Sequence, residues 1–153
     1  MAKLVECVPN FSEGRRPEVI EAIVGEARAV PDVKVLDVKP DASHNRVVVT
    51  LVGEPQAVKT AAFRTCAKAA ELIDMEQHRG EHPRIGATDV IPFIPVSDVS
   101  MEECVALAEQ LGEEIAGKLS IPVYLYEAAA KSPARKNLPD IRKGQYEGLK
   151  QEI

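Results

Sequence analysis

Short runs of β-branched residues alternate along the chain with longer stretches of helical period. "KLVECVP" at 3–9 has the alternation of a short strand. Pro17 suits the first turn of a helix whose apolar stripe is Val19, Ile20, Ile23, Val24 and Ala27, and that helix ends before Pro31. "VKVLDV" and "RVVVTLV" are rich in valine and flank the turn chemistry of "KPDASHN", which predicts a hairpin. Between Glu54 and Ile73 the residues Val58, Ala62, Cys66, Ala69 and Ile73 share one helical face, with Lys59, Arg64 and Lys68 on the other side. In "VIPFIPV" two prolines interrupt an apolar alternation, a pattern that fits only an edge strand or an irregular one. Ser100 followed by Glu103 reads as a capping box, opening a helix with Val105, Ala108, Leu111, Ile115 and Leu119 facing inward. "IPVYLYE" reads as the last strand, and the tail from Lys131 to Ile153 as partly helical.

The order β-α-β-β-α-β, then α-β, predicts an α+β fold: a ferredoxin-like βαββαβ sandwich with a C-terminal αβ extension and helices on one face of a mixed sheet. The other face of that sheet is left to pack on a second domain or subunit, because an uncovered apolar face is not stable in water. Neither repeats nor low-complexity segments occur.

Composition narrows the picture. With 153 residues, 45% of them hydrophobic and 28% charged, the chain has the make-up of one globular domain over 1–153. The three cysteines are widely spaced without a CxxC pair, which points to a reducing compartment. A charged-then-apolar leader and any apolar run near the roughly 20 residues of a membrane span are both missing, so a cytoplasmic protein is expected, with no membrane partner. A net charge of −5 argues against nucleic acid as the partner.

The candidate chemistry is concentrated in "QHRGEHPRIGATDV" at 77–90, which holds two of the three histidines. Gly80, Pro83 and Gly86 make it a loop, and loops on rigid scaffolds are where reactive groups collect. His78 and His82 are four apart, a metal-binding interval only on a helix, which Gly80 and Pro83 forbid; no metal is expected. Solvated loop histidines or acid/base work remain, the latter favoured by imidazole's pKa of about 6.5. Arg84 either pairs within the loop or meets a substrate carboxylate, and Asp89 either orients a neighbouring cation or ends the loop. Asn10, Ser12 and Glu13 stand at a strand-to-helix turn, where side chains and free amides can face a ligand or simply cap the helix. Arg46 opens the third strand and could bind a carboxylate bidentately or cover the sheet edge. Cys7, Cys66 and Cys104 read as core residues. The basic run Lys131, Arg135, Lys136, Arg142 and Lys143 is a solvated face or an attraction for an anionic ligand.

Five segments carry a resemblance: "LVECVPNFSEGR" at 4–15, "HNRVVVTLVG" at 44–53, "IDMEQHRGEHPRIGATDVIPFIPV" at 73–96, "IPVYLYEAA" at 121–129 and "IRKGQYEGL" at 141–149. Together they resemble the N-terminal half of the glutamate formimidoyltransferase family from end to end of the chain. The resemblance implies transfer of the formimino group of N-formimino-L-glutamate to tetrahydrofolate, a co-substrate, in histidine degradation by a cytoplasmic enzyme that is commonly a homodimer. It implies that the family's general acid/base histidine, the one in "GEHPR", is His82. It favours Arg46 as a binder, and it leaves Asn10, Ser12, Glu13, His78, Arg84 and Asp89 as candidate substrate contacts. The family's catalytic unit has a second, C-terminal half beyond the point matched by Ile153, with folate between the halves. The chain is then a fragment, a natural half with a separate partner, or a stand-alone non-catalytic binding or interaction module of the same fold.

Overall fold

The computed structural model describes residues 3–75, 86–123 and 125. The chain starts as one extended segment that Pro9 breaks into β1 (Leu4–Cys7) and β2 (Asn10–Phe11). There follow α1 (Pro17–Arg28), β3 (Val33–Asp41), β4 (Arg46–Gly53), α2 (Pro55–Leu72), β5 (Thr88–Val90), β6 (Phe93–Ser97) and α3 (Met101–Leu119). β4 pairs along one edge with both β1, Cys7 facing Leu51, and β2, Phe11 facing Val47. Across the broken first strand lie β6, paired with β1, and β5, paired with β2. β3 lies on the far side of β4.

The result is an α+β unit with a curled antiparallel sheet. The mixed sheet expected from the sequence is corrected: every pairing among the described residues is antiparallel. The physical reason is the insertion of β4. β3 runs in the same direction as β1, but the hairpin returns β4 into the space between them, so the two parallel strands never meet.

The breaks are matched. Pro9 and Pro92 cannot donate to a ladder, yet their carbonyls accept from Val49 N at 3.1 Å and Val8 N at 3.2 Å, so neighbouring strands kink together without orphaning these acceptors. The irregular strand expected from "VIPFIPV" is thus β5 and β6, separated at Ile91 and Pro92.

Val5, Cys7, Phe11, Val47, Val49 and Leu51 form the inner sheet face and are fully buried with the apolar stripes of the helices. Each large side chain so buried contributes about 1.5–3 kcal/mol relative to exposure. Helix α1 has proline at its start and Glu18 in its first turn. In α2 the Glu54 carboxylate accepts from Ala57 N at 2.9 Å. The Ser100 hydroxyl accepts from Glu103 N at 3.1 Å, as the capping box requires. The inward stripe of α3 differs from the expected one: Cys104, Leu107, Leu111 and Ile115 are buried, while Val105 and Ala108 sit at the flank. Rotating the helix by this amount buries Leu107 and Cys104 in place of the smaller pair.

The outer face carries Leu36, Ile94 and Val96, exposed by 59%, 40% and 53%. Of the expected last strand, Ile121–Val123 and Leu125 are described and lie outside any strand; the remainder and the tail at 131–153 fall outside the described residues. No described helix is long and apolar enough to cross a membrane.

Candidate functional site

Where β2 ends, the chain turns through Ser12–Arg16 into α1. The sequence left two readings for this turn, groups that face a ligand or a simple helix cap, and in the structure the amides of Ser12–Arg16 are taken up within the chain. Ser12 N donates to Ala87 O at 2.8 Å, Glu13 N to Phe11 O at 2.9 Å and Gly14 N to Asn45 Oδ1 at 2.9 Å. Arg15 N and Arg16 N both donate to Glu13 Oε2, at 3.1 and 3.0 Å. All five amides of the turn have partners within the chain. The Glu13 carboxylate thus serves the last two amides before α1, whose own first turn has no side-chain cap. That carboxylate is buried, with its other oxygen against Arg16 Nε at 2.6 Å.

The turn is packed against the β3–β4 hairpin. A Cβ on Gly14 would strike the Asp41 carbonyl oxygen and lie 2.6 and 2.7 Å from the Arg46 oxygen and nitrogen, so only glycine allows this approach. Arg15 Nε donates to Ala42 O at 2.7 Å. Within the hairpin turn Asp41 accepts from His44 N at 3.1 Å and pairs with His44 Nδ1 at 2.8 Å. Those two hydrogen bonds from His44, backbone first, hold the Asp41 carboxyl below its usual range. Asn45 takes a left-handed conformation, φ 53°, which aims its side chain at Gly14 N.

The predicted site residues therefore sort by position. Ser12 and Glu13 are buried and meet the hairpin end at Gly14. Asn10 bridges the break in its strand, Nδ2 donating to Val8 O at 3.0 Å. Arg46 begins β4 on the outer face, since Val47, Val49 and Leu51 take the inner one. No carboxylate pairs with it among the described residues, which leaves a half-buried cation able to receive an anion. Asp89 is buried in β5. His78, His82 and Arg84 lie outside the described residues. The segment carrying them leaves α2 beside Leu72 and returns at Gly86, and both points touch the Ser12–Arg16 turn.

Sequence reasoning missed Arg16, Asn45, Asp41 and His44. For Asp41, His44 and Asn45 the sequence signal was the turn-forming "DASHN", which marks a hairpin but does not say what docks on it; Arg16 lies outside it, just before Pro17. The three cysteines are core groups, as expected: burial pushes the thiols of Cys7, Cys66 and Cys104 up and keeps them protonated. Among the described residues no group of three His, Cys, Asp or Glu side chains is arranged to hold a metal ion.

Comparison with known proteins gives this end of the sheet its context. The family model for the formiminotransferase domain, N-terminal subdomain, matches residues 4–153. The chain belongs to the formiminotransferase family. A glutamate formimidoyltransferase of Streptococcus pyogenes serotype M1 is 51% identical over 153 residues, all of this chain and 51% of that protein. One from Thermoplasma acidophilum is 52% identical over 152 residues, covering 98% of this chain and 50% of its own length. The formimidoyltransferase-cyclodeaminase of Mus musculus is 52% identical over the whole chain, which spans 28% of it. This formiminotransferase subdomain thus spans about half the length of the transferases it matches.

Proposed function

We propose that the chain is the N-terminal subdomain of a glutamate formimidoyltransferase, over 1–153, and that with a C-terminal half it transfers the formimino group of N-formimino-L-glutamate to tetrahydrofolate. The observation that carries this reading is the family match running through the whole 77–90 segment, in a fold that roots that segment on the Ser12–Arg16 turn. The chemistry needs one group that moves a proton twice. N5 of the folate attacks the formimino carbon and loses its proton. The bond from that carbon to the glutamate nitrogen then breaks, and the leaving nitrogen gains a proton. His82 is assigned both transfers as general base and then general acid. Arg46 is assigned a carboxylate of substrate, as the half-buried cation that no described carboxylate neutralises, with Arg84 and His78 as further contacts from the loop. Asn10 and Asp89 complete the set of candidate contacts, while Ser12 and Glu13, buried and bonded within the chain, support the site from behind. Tetrahydrofolate serves as co-substrate, no metal takes part, and the setting is cytoplasmic histidine degradation.

The same reading covers the architecture. Counting the two broken strands as one each gives the order β3, β4, β1/β2, β6/β5, which supports a ferredoxin-like βαββαβ arrangement with α3 beginning the extension.

Half a site binds half as well as its wall allows, because small-molecule sites usually cover 70–90% of their ligand. Calorimetry with the 153-residue chain alone is expected to give a folate Kd near the millimolar range, about −4 kcal/mol, without transfer. Supplying the second half should restore both affinity and turnover. Micromolar binding by the chain alone would show that the site is already whole.

In the absence of that half we propose that the outer face bearing Leu36, Ile94 and Val96 pairs with a second copy as a homodimer. Sedimentation at tens of micromolar should then show a dimer that Val96→Asp dissolves, and a monomer at every concentration would refute it.

A further inference from the structure

We infer that Ser12 and Arg16 are positioning residues that clamp both ends of the span carrying His82, rather than substrate contacts; this rests on the proposed acid/base reading of His82. The span departs from the last residue of α2 and returns just before β5. At its departure, Arg16 Nη2 donates to Leu72 O at 3.2 Å. On its return, the Ser12 hydroxyl donates to Gly86 O at 2.7 Å and Ser12 N to Ala87 O at 2.8 Å. Two points fourteen residues apart along the chain are thereby fixed to two residues only four apart.

The strut between those residues is stiff for a definite reason. Glu13 lies inside it, buried, with Oε1 on Arg16 Nε and Oε2 on the amides of Arg15 and Arg16. Gly14 is pinned to Asn45. Moving Arg16 relative to Ser12 would break the buried carboxylate's bonds, which are the strong, charge-assisted kind. Ile73 and Met75 are buried just beyond the Leu72 anchor, so the departing chain is held by packing as well.

A proton carrier contributes its rate only when held close to productive geometry, within about 0.5 Å. Fixing both ends of the span to one strut narrows the positions open to it without spending the strut's own side chains on the substrate. It also accounts for why Ser12 and Glu13 are almost inaccessible, 3% and 4% exposed, a poor placement for substrate contacts.

The test uses the 153-residue chain with Ser12→Ala and Arg16→Gln. Two readouts are taken: tryptic cleavage after Arg79 and Arg84 under native conditions, and the imidazole NMR titration of His82, identified with His82→Gln. Losing one or two anchoring hydrogen bonds should speed cleavage about two- to tenfold. The titration curve of His82 should move while the thermal midpoint stays near that of the parent, and Ser12→Thr, which keeps the hydroxyl, should return both readouts. Arg16 is half exposed, so Arg16→Gln carries the test if Ser12→Ala does not fold. Parent-like cleavage and titration in the folded variants would overturn the clamp alone. Full turnover in His82→Ala would overturn the acid/base reading and, with it, the functional sense of the clamp.

Discussion

Replacing His82 with alanine is expected to lower formimino transfer by about 10²- to 10⁴-fold, the usual contribution of a general acid/base. The size follows from the chemistry: a single group accepts the proton of the attacking nitrogen and returns it to the departing one, so its loss slows both halves of the exchange. Binding of formiminoglutamate should change far less, because the carboxylate contact assigned to Arg46 is untouched. The measurement is steady-state kinetics with the complementary half present. Wild-type turnover in that assay would remove His82 from the mechanism, and a rise in KM with unchanged kcat would make it a binding residue instead.

The largest effect on stability is expected from Phe11→Ala. Phe11 is fully buried, is the bulkiest of the fully buried side chains among the described residues, and stands in β2 between Val47 of β4 and Thr88 of β5. Removing its ring leaves a void that neighbours on two strands cannot both close, at a cost of about 3–5 kcal/mol. For a domain of this size that lowers Tm by about 6–20 °C. Glu113→Ala, on the exposed side of α3, should shift it little, within about 0.5 kcal/mol. Thermal unfolding of the two variants side by side is the check, and equal midpoints would mean that the core is not organised around β2.

The legible parts of the fold were those set by period. Valines alternating in "RVVVTLV" can bury only one face, and Val47, Val49 and Leu51 are on it. The stripe Val19, Ile20, Ile23, Val24 and Ala27 is buried as read. Period alone was ambiguous in α3, where apolar residues occupy two adjacent stripes and the choice between Leu107 and Ala108 is made by what lies opposite. The antiparallel sheet was not legible either, since the position of β4 between β1 and β3 is a matter of spatial order that no local pattern records. At the candidate site, the loop was visible from its glycines and proline. The docking of the Ser12–Arg16 turn was not, because the partners that hold it to the hairpin and to the approach to β5, Ala42, Asn45 and Gly86, are distant in sequence. Ser12 and Glu13 stand at the strand-to-helix turn where the sequence put them, and both are buried there.

The two outermost strands bear on how the chain avoids aggregating. Among the described pairings β3 meets only β4, and β6 meets only β1. A free edge is a template for adding further strands, and flat, regular edges grow into fibrils. Here β6 contains Pro95 and follows Pro92, while the β3 ladder slips between Val35 and Asp37, carries Lys34 and Lys39, and reaches Pro40. An incoming strand would find missing donors on one side and a kinked, charged rim on the other. Both described rims are therefore poor templates for edge-to-edge polymerisation, so the chain can be made and kept at high concentration without growing by strand addition at β3 or β6.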